Sequence, residues 1–156
     1  MLGRLARYLR AAGYDTALAS DGAPDPVWLA MAHGEGRIFL TCDRAVAARS
    51  GRARVLGLRQ GNLDEQATTL RDHLAVNWLW RPFTRCLMDN ARLEPAGGVP
   101  PLVAPVALRG SALRSCPRCG RLYWAGSHHR RMRARLAEWH SGSPAGGRTG
   151  KLPPLV

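Results

Sequence analysis

Across residues 2–76 the hydrophobic period of the chain changes repeatedly between helical and strand spacing, and no other feature limits the fold so tightly. Over residues 2–12, Leu2, Leu5, Ala6 and Leu9 recur at helical spacing with Arg4, Arg7 and Arg10 on other faces, and Gly13 closes the helix. "DTALAS", residues 15–20, reads as a short strand. "APDPVWLAMAHGEG" reads as a helix capped by Asp25, with Pro26 at its first helical position. "RIFLT" is the clearest strand, followed by a short helix in "DRAVAARS", a strand over residues 53–58, and a helix over residues 63–76 striped by Leu63, Ala67, Leu70 and Leu74. This alternation predicts an α/β fold with a mainly parallel sheet, because parallel neighbours need crossover connections and helices make them.

In such sheets ligands gather beyond the carboxyl ends of the strands. "TCDR", Thr41 to Arg44, stands where one strand ends and the next helix begins, so Asp43 is either a substrate-facing carboxylate or a helix cap. Cys42 beside it reads as a small buried residue.

After Val76 the character changes. "NWLWRPFTRC" is aromatic and basic, and "EPAGGVPPLVAP" is rich in proline and glycine. A domain boundary is expected near residue 80, giving a first domain over 1–80, a basic module over 81–140 and a flexible tail over 141–156. The first 80 residues hold ten arginines against eight acids, whereas residues 81–156 hold thirteen basic groups against three acids, so most of the net +12 lies in the second part. That part either binds a polyanion backbone or is a solvated basic surface. No apolar run approaches the roughly 20 residues that span a bilayer, and a soluble cytoplasmic protein is expected.

Four cysteines in a chain of 156 residues, Cys42, Cys86, Cys116 and Cys119, do not read as a disulfide scaffold, which leaves metal binding or buried thiols. Cys116 and Cys119 form a Cys-x2-Cys knuckle, and "SHHRRMRARL" leaves it as a basic, helical segment. Arg130, Arg131, Arg133 and Arg135 cannot share one helical face. Tyr123, Trp124, His128 and His129 offer flat surfaces for unpaired bases, although Tyr123 and Trp124 serve equally well as a small core.

Together, "MLGRLARYLRAAGYDT", "EGRIFLTCDR", Arg85-Cys86 and "CPRCGRLYWAGSHHRRM" resemble the Mut-seven carboxy-terminal RNase domain, a PIN-like nuclease domain followed by a zinc ribbon; the resemblance spans residues 1 to about 133. It implies carboxylates at the sheet edge that hold Mg²⁺ or Mn²⁺ for cutting RNA, with DNA not excluded. Asp43 matches the family's Thr-x-Asp-Arg acid, Asp25 falls in its acidic segment, and Asp64 with Gln66 falls in its acidic-plus-Gln segment; Asp25 and Asp64 also suit helix caps. The resemblance further implies a structural Zn²⁺ on Cys86, Cys116 and Cys119, with Asp89 where a second thiolate belongs, and with His128 or His129 as the other source of a fourth ligand. Arg44, Arg118, Arg121, Trp124, His128, Arg130, Arg131 and Arg133 are the implied nucleic-acid contacts. Family members carry a short strand ending in aspartate ahead of the "ML", which this sequence does not show. Two functions therefore stand open: a metal-dependent ribonuclease, or a catalytically silent RNA-binding or ribonucleoprotein-associated module.

Overall fold

A computed structural model describes residues 2–19, 22–48, 51, 53–97 and 112–142. Helix α1 (Gly3–Ala11) turns Leu5, Ala6 and Leu9 inward, as its period requires. Its end is sealed by a distant segment: Ala11 and Ala12 offer carbonyls that accept from Phe83 N–H at 2.7 Å and Arg81 N–H at 3.1 Å. Gly13 sits there at φ +100°, and any Cβ would overlap the Arg81 backbone. Both facts require glycine. Arg10 departs from the exposed pattern of its neighbours: it is buried, and its guanidinium donates to the carbonyls of Thr16 at 2.8 Å, Leu87 at 3.0 Å and Met88 at 2.7 Å.

The expected strand over residues 15–20 is not formed in the described residues, where only Thr16 makes a bridge. Side chains take the place of a sheet partner, since Thr16 N–H donates to Asn90 Oδ1 at 3.0 Å while its carbonyl receives Arg10. Helix α2 (Asp25–Gly34) begins at Asp25 itself, with Pro24 as the extended residue before it and no side-chain cap. The cap expected of Asp25 is therefore corrected, and its carboxylate is left exposed. Strands β1 (Ile38–Thr41) and β2 (Arg54–Gly57) pair in parallel, from Ile38 opposite Arg54 to Thr41 opposite Gly57. Helix α3 (Arg44–Ala48) lies on the crossover between them. Helix α4 (Leu63–Leu74) is capped by Asn62, whose Oδ1 accepts Asp64 N–H at 2.8 Å, and Ala75 ends it in the left-handed region.

Three short strands, β3 (Glu94–Pro95), β4 (Arg114–Ser115) and β5 (Leu122–Tyr123), form an antiparallel ribbon, and helix α5 (Ser127–Ser141) follows. Among the described residues the buried apolar side chains form two clusters, and the larger draws on both sides of residue 80. Met132, Leu136 and Trp139 of α5 pack with Leu5, Leu9, Leu70 and Trp78, whereas the ribbon keeps only Cys86, Leu93 and Cys116 as its buried set. The helix expected to belong to a second module completes the core of the first. Of the expected tail, residues 143–156 lie outside the described residues. No described helix is long and apolar enough to cross a membrane.

Candidate metal centre and acidic cleft

Two turns with the same hydrogen-bond pattern build the metal centre. In the first, "CLMDNA", Cys86 N–H donates to Ala91 O at 2.8 Å and Asn90 N–H to Cys86 O at 3.1 Å; in the second, "CPRCGR", Cys116 N–H donates to Arg121 O at 3.0 Å and Gly120 N–H to Cys116 O at 2.9 Å. Asn90 at φ 71° and Gly120 at φ 69° occupy the same left-handed position, which asparagine and glycine tolerate best. Asp89 thus stands in the first turn where Cys119 stands in the second. One ligand atom from each of Cys86, Asp89, Cys116 and Cys119 lies within 4.8 Å of all the others, so the four are placed to hold a metal ion. The Cys86 and Cys119 sulfurs are 3.8 Å apart, and the Cys116 thiol lies 3.2 and 3.3 Å from the Asp89 oxygens. His128 and His129, the other expected sources of a ligand, are outside this group; the His129 ring packs on Phe83 with centroids 4.0 Å apart.

The electrostatics favour the anionic forms of Cys86 and Asp89, whereas at Cys119 the Arg121 backbone bond is outweighed by Asp89 and the other thiols, which push its thiol up to about 12. Burial opposes the Cys86 thiolate, but the Tyr123 hydroxyl at 3.1 Å and nearby backbone N–H groups outweigh it and bring its pKa below the usual value. Tyr123 O accepts Leu87 N–H at 3.1 Å, which leaves its own proton for the sulfur. Burial likewise opposes the Asp89 carboxylate, and hydrogen bonds from Cys119, Ala91 N–H and the other two thiols hold it well below the carboxylate range. The centre is fastened to the core by groups that sequence reasoning missed. Arg10 binds the Leu87 and Met88 carbonyls, and Asp15 accepts Asn90 Nδ2 at 2.7 Å, Arg37 at 3.1 Å and Arg85 at 3.4 Å. Nothing local marks these residues; their partners lie more than 70 positions away or on another element.

The acids expected at the sheet edge are distributed differently. Asp43 caps α3, its Oδ1 accepting Ala45 N–H at 2.7 Å and Val46 N–H at 3.2 Å. Asp25 lines a cavity of about 280 Å³ between α1, residues 16–19 and the carboxyl end of β1, which Thr41 and Cys42 also line. Asp64 points elsewhere: its carboxylate takes three bonds from Arg135 and one from Trp139 Nε1 at 2.7 Å, which together lower its pKa. Gln66 is buried and donates to Arg59 O at 3.0 Å. Among the described residues, Asp25, Asp43 and Asp64 do not come together as a group of three ligands. Arg44, Arg118, Arg121, Arg130, Arg131, Arg133, Trp124 and His128 are all exposed, whereas Arg135 is engaged with Asp64.

A mixed α/β layer stapled to paired turns of three cysteines and one aspartate defines a small α/β domain with a candidate metal centre. The family model described as Mut7-C RNAse domain matches residues 1–136, and the chain belongs to that family. Neither the curated proteins nor the solved structures contain a match.

Proposed function

We propose that the chain is a divalent-metal-dependent ribonuclease of PIN-like fold that acts in the cytoplasm, with an RNA strand held by a basic surface that a structural zinc ion supports. The observation that carries this reading, beside family membership, is the acidic edge at the carboxyl end of the parallel sheet. Asp25 lines the cavity there and Asp43 lies two residues beyond the end of β1. One or two carboxylates with water suffice for Mg²⁺, and these two residues supply that number. The chemistry a divalent ion supplies at such a site is activation of a water and stabilisation of the charge gathering on the phosphate. Asp43 spends Oδ1 on the α3 cap and has Oδ2 left for a ligand. Exposed Arg44 beside it suits a phosphate. Asp64 serves as the anchor of α5 rather than as a ligand.

Zinc fits the paired turns. At Zn–S distances near 2.3 Å, tetrahedral geometry separates two sulfurs by about 3.8 Å, and the Cys86–Cys119 separation is 3.8 Å. Hard oxygen-seeking ions would not select three thiolates.

The second reading, a silent RNA-binding or ribonucleoprotein-associated module, is favoured by the diversion of Asp64 to Arg135, which leaves two acids at the sheet edge. Asp43→Asn separates the two, because asparagine keeps the helix cap and removes the charge. Cleavage of single-stranded and structured RNA with Mn²⁺ should fall by more than about 100-fold, beyond what is lost when an outer-shell partner of a metal ligand is removed. A wild-type protein that holds zinc and binds RNA without cutting it would establish the silent module instead.

A further inference from the structure

A cavity of about 430 Å³ opens between the ribbon and the start of α5. That volume is within the roughly 300–1,000 Å³ of small-molecule sites. Phe83, Leu87 and Met132 contribute apolar surface, Trp124 and Leu122 stand exposed on it, and Arg114 and Arg133 are its charged members. Among the described residues, no carboxylate lines it. Large exposed apolar side chains grouped beside cations are unusual on a surface without a partner.

The four flat side chains of this region are not equivalent. The Tyr123 hydroxyl is bound to Cys86 and to Leu87 N–H, and the His129 ring is packed on Phe83. Trp124 is 44% exposed. Its ring is held by a steric device: a Cβ at residue 126 would lie 2.7 Å from Trp124 Nε1 and 3.2 Å from Cδ1, so only glycine leaves the indole where it is. Gly126 has φ −82°, a value any residue adopts, so it is the indole and not the backbone conformation that a Cβ there would disturb.

We propose that this cavity is a base-binding subsite, in which one unpaired nucleobase of an RNA strand stacks on Trp124 while Arg114 and Arg133 receive the adjoining phosphates. An aromatic face accepts any base, and neighbouring arginines supply backbone attraction without sequence preference. Positive charge with no opposing carboxylate selects a polyanion over an apolar peptide. The subsite rests on the reading of RNA as substrate and adds to it that the bound stretch is single-stranded, since bases in a duplex present no free face.

The test compares wild type, Trp124→Ala, Trp124→Phe and Gly126→Ala for binding to a short labelled single-stranded RNA and to a duplex of equal charge, with zinc content confirming the fold of each. Trp124→Ala should weaken single-strand binding by about 5- to 150-fold, the range of one base–aromatic stack, and leave duplex binding unchanged. Trp124→Phe should recover most of the loss, and Gly126→Ala, which displaces the indole, should reproduce part of it. Unchanged single-strand affinity in Trp124→Ala overturns the subsite while RNA binding by the wild type stands, and that is also the result if the indole docks a protein. Equal losses on both RNAs overturn it too. A wild type that binds neither RNA removes the substrate reading and the subsite with it.

Discussion

Asp15 draws donors from both sides of the molecule, Arg37 at the entry to β1 and Asn90 and Arg85 from the first metal turn. Burial works against its charge, yet Asn90, Arg37 and Arg85 outweigh burial and lower its pKa. A carboxyl lowered in the folded state stabilises above its unfolded value, near 3.9, and loses that contribution as pH falls through the folded value. Asp15→Asn should therefore lower stability by about 1–3 kcal/mol at neutral pH, a gap that closes on acidification below pH ~4. Urea unfolding of both proteins at a series of pH values checks this, since acid loss of the metal is common to the two. Asp89 makes a second test at this scale. Because its turn repeats that of Cys119, Asp89→Cys should fit without backbone change and hold zinc at least as tightly, whereas Cys116→Ser should leave less than about a tenth of an equivalent. Chelator competition and metal analysis measure both, and a weaker Asp89→Cys site would mean that the two turns are not equivalent.

Helix α5 shows what local pattern reveals and what it hides. Met132, Leu136 and Trp139 follow a helical period that the sequence displays, and the helix itself was legible from it. Its destination was not, because the core that receives this face is assembled from Leu5, Leu9, Leu70 and Trp78, far off in sequence. The same cause explains the strand missing from residues 15–19, where the Thr16 backbone is taken by Asn90 and Arg10, and the buried state of Arg10. By contrast β1, the Asp43 cap and the cysteine turns were legible, since each is decided within a few residues, whereas Asp25 and Asp64 do not cap their helices. Leu136 is fully buried, so Leu136→Ala should cost about 2–5 kcal/mol, and thermal unfolding should show one transition lowered as a whole, as a helix integral to the main core requires. The Asp64–Arg135 pair is half-exposed and worth about 0–1 kcal/mol. Asp64→Asn should then change stability little and, if Asp64 only anchors α5, keep cleavage within about threefold while Asp43→Asn abolishes it; loss of cleavage in both would return Asp64 to the acidic site.

For the whole molecule, the folded chain separates charge more than packing. Residues 1–80 carry nearly balanced charge, and among the described residues the excess of arginine lies on the ribbon, which keeps its own buried set, and on α5, whose inner face joins the main core. On the proposed function, a strand gripped by α5 would be held by a helix whose inner face packs into the same core as α1 and β1. Binding of this kind is governed by counterion release, and the logarithm of affinity should fall linearly with the logarithm of salt by about 0.7 per phosphate contact on a single strand. Arg135 is removed from the reckoning by its bond to Asp64, whereas Arg130, Arg131 and Arg133 are exposed. Replacing those three with glutamine should flatten the slope by roughly two units and leave the unfolding midpoint almost unmoved, because exposed charges add little stability. Trp124→Ala, acting through stacking, should weaken binding at every salt concentration with the slope preserved. Affinities at three or more salt concentrations for the three proteins distinguish the contributions, and an unchanged slope in the arginine variant would move the phosphate contacts to the acidic cleft, where metal ions rather than arginines would hold the strand.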